Sequence, residues 1–166
     1  MIYVIHGHSG SGKSTLASNL EKLGFTWVKT VTTRPPRYDG EEGYVFISPV
    51  DYIKYTQQHE LIAARDFVTT YDGKQNVFRY GIPVDVISNE LASGNDVIVI
   101  SDAIGVDELF DVFGSELVKA VYLSGDEELL KRRAMLRDDF DEVEYQRRFD
   151  ADNGTLSQVE FKRRAM

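Results

Sequence analysis

Hydrophobic and polar positions fall into blocks that switch repeatedly between strand-like and helix-like spacing. Ile2 to Ile5 form a short apolar run, which predicts a buried strand, and Lys13 to Leu23 read as a helix closed by Gly24. The β-branched and aromatic stretch FTWVKTVTT, Phe25 to Thr33, predicts a single second strand. A polar, proline-rich loop, RPPRYDGEEG, follows it. Tyr44 to Ile47 alternate as a short strand, and Ser48 caps a helix that has Pro49 at its first position and Asp51 in its first turn.

From Leu61 to Tyr80 the pattern is extended, broken at Asp72-Gly73 as a hairpin turn. Pro83 opens a helix that ends at Gly94. DVIVIS, Asp96 to Ser101, is nearly continuous in apolar residues, the mark of a strand covered on both faces. A helix over Val106 to Phe113, a strand in LVKAVYLS and a charged helical region from Asp126 onward complete the pattern. Strands that alternate with helices and are themselves apolar predict an α/β fold with a parallel core sheet. The stretch from Thr30 to Tyr80, richer in short strands and turns, reads as an inserted lobe.

Composition narrows the function classes. At 166 residues the chain is of single-domain size, and 42% hydrophobic with 28% charged residues is a globular composition. The net charge of −8 argues against general nucleic-acid binding, because no cation excess exists to displace counterions. There is no cysteine, which excludes disulfides and thiolate-held metals. No apolar stretch approaches the roughly 20 residues that span a bilayer, and the first strand is not preceded by a signal-peptide pattern. The expectation is a soluble, cytoplasmic protein, monomeric or homodimeric, with no membrane partner.

The chemistry starts at GHSGSGKS, Gly7 to Ser14, which satisfies G-x-x-x-x-G-K-[ST] between a predicted strand and a predicted helix. Glycines let main-chain N–H groups wrap phosphate oxygens, and the helix presents its positive end to the same oxygens. Gly7, Ser9, Gly10, Ser11, Gly12, Lys13, Ser14 and Thr15 are the expected ATP-binding residues. Lys13 would reach the β- and γ-phosphates, and the Ser14 hydroxyl would complete a magnesium shell. His6 and His8 flank the glycines and read as loop residues rather than metal ligands. About twenty residues on, TVTTRPPR supplies Arg34 and Arg37 on a loop stiffened by two prolines, suited to a bidentate grip on a phosphate or carboxylate.

With SGSGKSTL, TTRPPR, GYVFIS, RYG, a buried strand ending in Asp102 and Gly105, and an arginine-rich helical tail in this order, the chain resembles the guanylate kinase family. The resemblance implies a P-loop three-layer α/β/α fold: a core over about 1–29 and 82–124, a monophosphate-binding lobe over about 30–81, and a lid with C-terminal helices over about 125–166. It implies that Thr30, Arg34, Arg37, Tyr44, Tyr80 and Asp102 hold the acceptor, with Asp102 also near the metal, through water. It further implies that Arg133, Arg137 and Arg148 act with Lys13 and Arg34 on the phosphates in transfer. The implied activity is ATP- and Mg²⁺-dependent phosphoryl transfer to a nucleoside monophosphate, GMP or dGMP, within purine nucleotide metabolism. The alternatives are a kinase of another monophosphate or of a ribose phosphate, and a non-catalytic binding domain.

The departures from the family pattern lie at the base. The family's base-reading glutamate aligns with Ala63, with Arg65 and Asp66 nearby, and Ile82 and Ile100 stand where polar or acidic residues are usual. The phosphate machinery is thus more fully present than the base-reading groups.

Overall fold

The computed structural model describes residues 1–71, 74–136, 142, 143, 145–147, 149, 150 and 152–154. In chain order the elements are β1 (Ile2–Gly7), α1 (Lys13–Glu21), β2 (Thr26–Trp27), β3 (Thr30–Thr32), β4 (Tyr44–Phe46), α2 (Pro49–Gln58), β5 (Leu61–Tyr71), β6 (Lys74–Pro83), α3 (Val84–Ala92), β7 (Val97–Ile100), α4 (Ala103–Phe113), β8 (Val118–Leu123) and α5 (Glu127–Met135). Residues described beyond 141 are helical. The Asp72-Gly73 turn lies outside the described residues.

The first sheet is parallel, in the order β2-β7-β1-β8. β1 is central, and its registers Ile5↔Ile100 and Gly7↔Leu123 bring the ends of three strands to one edge. Ile2, Val4, Ile5, Val97, Ile98 and Val99 are wholly buried, which explains why these strands read as continuous apolar runs. One face packs α3 and α4 through Ile87, Val106 and Leu109; the other packs α1 through Ala17 and Leu20. The chain has the P-loop α/β architecture expected of its strand–helix alternation.

The second sheet, in the order β4-β3-β6-β5, is mixed: β3 and β4 are parallel, while β6 is antiparallel to both β3 and β5. All four strands come from between Thr30 and Pro83. The predicted single strand Phe25–Thr33 is in fact two. The Val28 amide still donates to Ile98 in the core sheet at 3.0 Å, but the Thr30 amide already donates to Gly43 at 3.0 Å. A uniform run of β-formers carries no sign of a change of sheet, so periodicity alone could not show the break.

Two helices also start elsewhere than the pattern suggests. Pro83 ends β6 and caps α3 instead of entering it, and α4 begins three residues before Val106, at Ala103, because the Asp102 side chain accepts the Gly105 N–H at 2.7 Å. Among the described residues no helix is long and apolar enough to cross a membrane. Because Ile98 is fully buried where β7 meets α1, Ile98→Ala should lower unfolding free energy by about 2–5 kcal/mol, read as a shifted urea midpoint at unchanged m-value.

Candidate functional site

The loop between β1 and α1 is shaped by lack of space. Gly7 has φ +141°, and a Cβ there would lie 2.3 Å from the Leu123 carbonyl oxygen. At Gly10, φ +86°, a Cβ would meet the Leu130 oxygen at 2.6 Å. Gly12 adopts φ +92° at the start of α1, a left-handed position that disfavours side chains. Among the described helices α1 alone has neither a side-chain cap nor an acidic residue in its first turn. Its first N–H groups and positive dipole end are therefore turned to the cleft without a resident carboxylate cap. Lys13 Nζ donates to the carbonyls of Gly7 at 2.7 Å and His8 at 2.8 Å, which folds it back across the loop.

Gly7, Ser9, Gly10, Gly12, Lys13, Ser14 and Thr15 all line one cleft of about 830 Å³. Ser11 does not; its amide donates to His8 at 3.2 Å and its hydroxyl is buried. Thr30, Arg34, Arg37, Tyr44, Tyr80 and Asp102 line the same cleft. The two anion sites proposed from sequence thus face one space. Arg133 is exposed on α5 and is not on the cleft wall, whereas Arg147, absent from the sequence-based set, is. Arg137 and Arg148 lie outside the described residues. His6 and His8 are both buried, His6 against Tyr122 and His8 stacked on Phe149 at 4.5 Å between ring centroids. Among the described residues no group of three or more His, Asp or Glu could hold a metal ion.

The arginine loop contains a residue that its sequence did not single out. Glu41 is buried between both guanidiniums. Arg34 donates to it through Nη1 at 3.1 Å and Nη2 at 2.8 Å; Arg37 donates through Nε at 3.0 Å and its main-chain amide at 2.8 Å. Arg34 is itself buried and lies over the rings of Tyr44 and Phe46, at 5.0 and 5.5 Å. Its fork, expected on a phosphate, is therefore turned to Glu41, and the two guanidiniums with this one carboxylate leave a net positive group on the cleft wall that Tyr44 and Tyr80 also line. Burial works to raise the Glu41 carboxyl, but the Arg34 and Arg37 hydrogen bonds and charges outweigh it and hold the group below its ordinary value.

At the opposite wall, Asp152 reaches the P-loop. It accepts the Ser9 N–H, lies 3.8 Å from His8 Nδ1, and feels the charges of Lys13 and Asp102. Burial pushes its carboxyl up, and Asp102 adds to this against Lys13, His8 and the Ser9 amide. A cluster of Leu130, Ala134, Tyr145 and Phe149, with the Phe149–His8 stack, holds the C-terminal helical residues over the loop. A carboxylate thus occupies part of the anion-binding nest. Nothing local in FDADNG distinguishes this aspartate from its neighbours, and only tertiary contact reveals it.

At the third wall, β5 bulges between Ile62 and Arg65, where Ala63 takes φ +52°. Glu108 of α4 clamps the bulge, accepting the Ala63 N–H at 2.7 Å and an Arg65 Nη2–H at 2.5 Å. Ser101, also on the wall, has a buried hydroxyl with no hydrogen-bond partner; a Cβ on Gly105 would fall 2.0 Å from it.

Two predictions follow from these carboxylates. Glu41, depressed in the folded chain, contributes stability above its ordinary value, and this is lost as pH falls through the folded value. Glu41→Gln should therefore cost about 2 kcal/mol at neutral pH and flatten the acid limb of a denaturation series. Asp152, raised in the folded chain, is the opposite case: its ionised form is penalised at neutral pH, and the penalty fades on acidification. Asp152→Asn should leave thermal stability at pH 7 undiminished and tighten ATP about five-fold in calorimetry, the scale of one like-charge contact in water.

Against this geometry, comparisons with known proteins converge. No family profile matches the chain. Guanylate kinase of Wolbachia pipientis wMel is 32% identical over 152 residues, covering 89% of this chain and 72% of that protein. Guanylate kinase of Deinococcus radiodurans is 28% identical over 136 residues, and this chain spans 54% of its length, about half. A crystal structure of guanylate kinase from Anaplasma phagocytophilum superposes with a TM-score of 0.64 over 96% of this chain and 72% of that one, at 21% identity, and shares the fold. On the strength of the Wolbachia match across most of both sequences, the chain belongs to the guanylate kinase family.

Proposed function

We propose that the chain is a nucleoside monophosphate kinase that moves the γ-phosphoryl group of ATP to GMP or dGMP in the cytoplasm, giving ADP and the diphosphate. The observation that carries this reading is the single cleft with the P-loop on one wall and the Arg34–Arg37 loop on another. Two anions held in one cavity can be brought into line, which is most of what phosphoryl transfer requires. The second sheet would serve as the monophosphate lobe over about 30–81, the first as the core, and the segment over about 125–166 as the lid.

On this reading the P-loop amides and Lys13 take the donor phosphates. Lys13 would exchange its two carbonyl partners for phosphate oxygens and follow the charge as it spreads over the group in transfer. Arg37, Tyr44 and Tyr80 take the acceptor phosphate, with Arg34 and Glu41 fixing the loop that presents them. No general base is needed, because the acceptor phosphate is already ionised at neutral pH. The site's donors suit magnesium: the Ser14 hydroxyl and the Asp102 carboxylate, both on the cleft wall, are hard oxygens, and among the described residues no histidine lines the cleft. Bound there, the metal would neutralise charge on the donor phosphates. Arg147 on the cleft wall, with Arg137 and Arg148, would add positive charge when the lid closes and excludes water.

In a coupled ADP-release assay, Lys13→Ala should lose at least about 10²-fold in kcat. Arg37→Ala should raise the KM for GMP about 10- to 100-fold with little change in the KM for ATP, since its partners lie on the acceptor side. An Arg37→Ala enzyme with unaltered GMP kinetics would contradict the acceptor-site assignment.

A further inference from the structure

The wall formed by the β5 bulge is rich in donors and poor in acceptors. Ala63 offers only a methyl group, and Ile82 and Ile100 add apolar surface. Several carboxylates around it are held by neighbouring cations or amides. Glu108 gives one oxygen to Arg65 and the other to the Ala63 amide. Asp102 caps α4 through Oδ1, which accepts the Gly105 N–H. Asp66 pairs with Arg79 at 3.6 Å, and Glu41 is held by Arg34 and Arg37. Glu42, also on the cleft wall, belongs to the loop that carries the acceptor-phosphate arginines.

What this wall does offer is the Arg65 guanidinium and the Ser101 hydroxyl. Glu108 and the Ala64 carbonyl, at 2.5 and 2.9 Å, take one hydrogen each from Nη2 and Nη1, which fixes the plane of the fork while leaving further N–H groups for a ligand. Arg65 is directly opposite Tyr80 in the β5–β6 register, so it sits beside the residue assigned to the acceptor. The bulge at Ala63 sets its direction.

Guanine presents two different edges. N1–H and N2–H₂ are donors and need acceptors, and the Glu108 carboxylate, the acceptor nearest the bulge, is already held by Arg65 and the Ala63 amide. O6 and N7 are acceptors in the spacing that an arginine fork matches bidentately. We infer that Arg65, held by Glu108, reads the O6/N7 edge of the acceptor base, so that the acceptors are 6-oxopurine monophosphates as a class, with inosine monophosphate close to GMP. The inference rests on the kinase reading above and names its substrate class. Adenine is refused because its N6–H₂ donors meet the guanidinium donors. On this reading the 2-amino group of guanine adds little, because the Glu108 carboxylate beside the bulge is already held by Arg65 and the Ala63 amide.

Binding is the decisive test, because it reads the pocket whether or not transfer occurs. GMP, IMP, 7-deaza-GMP and AMP are titrated into the full chain by calorimetry, and the same four are run in the ADP-release assay. Expected are IMP within about five-fold of GMP, and 7-deaza-GMP and AMP weaker by about 10- to 100-fold, the scale of one bidentate base contact. Arg65→Met should weaken GMP and IMP together and bring all four within about five-fold, with ATP binding and the circular dichroism spectrum unaltered. Equal binding of GMP and 7-deaza-GMP, with IMP 100-fold weaker, would overturn the inference by showing that the N1/N2 edge is read. A chain that binds in the expected order without releasing ADP would keep the inference and defeat the kinase reading. One that phosphorylates GMP with the reverse order would defeat the inference alone.

Discussion

A methyl group on Gly7 would sit 2.3 Å from the Leu123 carbonyl oxygen, and the arrangement of the site follows from that closeness. Parallel pairing of β1 with β8 brings the Leu123 carbonyl against the point where the chain must leave the sheet and turn into α1. Only a residue without a side chain can make the turn there, and the same backbone then forms the loop proposed to take the donor phosphates. The pairing of β1 with β7 sets the end of β7 beside it, so Ser101 and Asp102 arrive at the cleft with no freedom of placement. The general rule that ligands collect beyond the carboxyl ends of parallel strands here has a specific cause, the crowding of Gly7 against β8.

The cations of the cleft come with partners. Arg34 and Arg37 share Glu41, Arg65 holds Glu108, and Asp152 reaches the P-loop beside Lys13. In a chain of net charge −8 this is how positive groups are kept in fixed positions before a ligand arrives. On the proposed reading, an anion entering the cleft meets cations already held in place, and the protein does little reorganising when charge moves. The partners differ in purpose. Glu41 and Glu108 hold their arginines in place, whereas Asp152 accepts a P-loop amide, and on the proposed reading it would give way to a phosphate oxygen.

How much of this was legible in sequence depends on the range of the interaction. The P-loop could be read at once because its requirement is local: glycines at left-handed positions, then a lysine at the head of a helix. Arg34 and Arg37 could be read because two prolines stiffen their loop. The split of Phe25–Thr33 could not, since Val28 and Thr30 follow the same strand pattern and differ only in which sheet accepts their hydrogen bonds. Glu41, Glu108 and Asp152 share that difficulty. Each is one acidic residue among many, and its meaning comes from a guanidinium or an amide distant in the chain or hidden by a turn. Arg133 is a cation in a suggestive motif that the helix turns to solvent here, and no local feature of the sequence shows which way α5 faces.

This division also explains why one end of the cleft departs from the family pattern while the other keeps it. The phosphate end is made of main-chain groups and short loops, where almost any substitution collides, as at Gly7 and Gly10. The base end is a clamp between two elements far apart in sequence, the β5 bulge and α4, joined by Glu108 and by the fit of Gly105 against Ser101 and Ala63. Such a clamp can be rebuilt with other side chains if donor still faces acceptor across it. On the inferred reading, a wall that has Ala63 in place of a base-reading carboxylate and Arg65 beside it has its polarity reversed, and guanine tolerates the reversal because its O6/N7 edge is the complement of its N1/N2 edge. Arginines that hold a phosphate, as proposed for the Arg34–Arg37 loop, would not tolerate such a reversal, because a phosphate presents acceptors on every side.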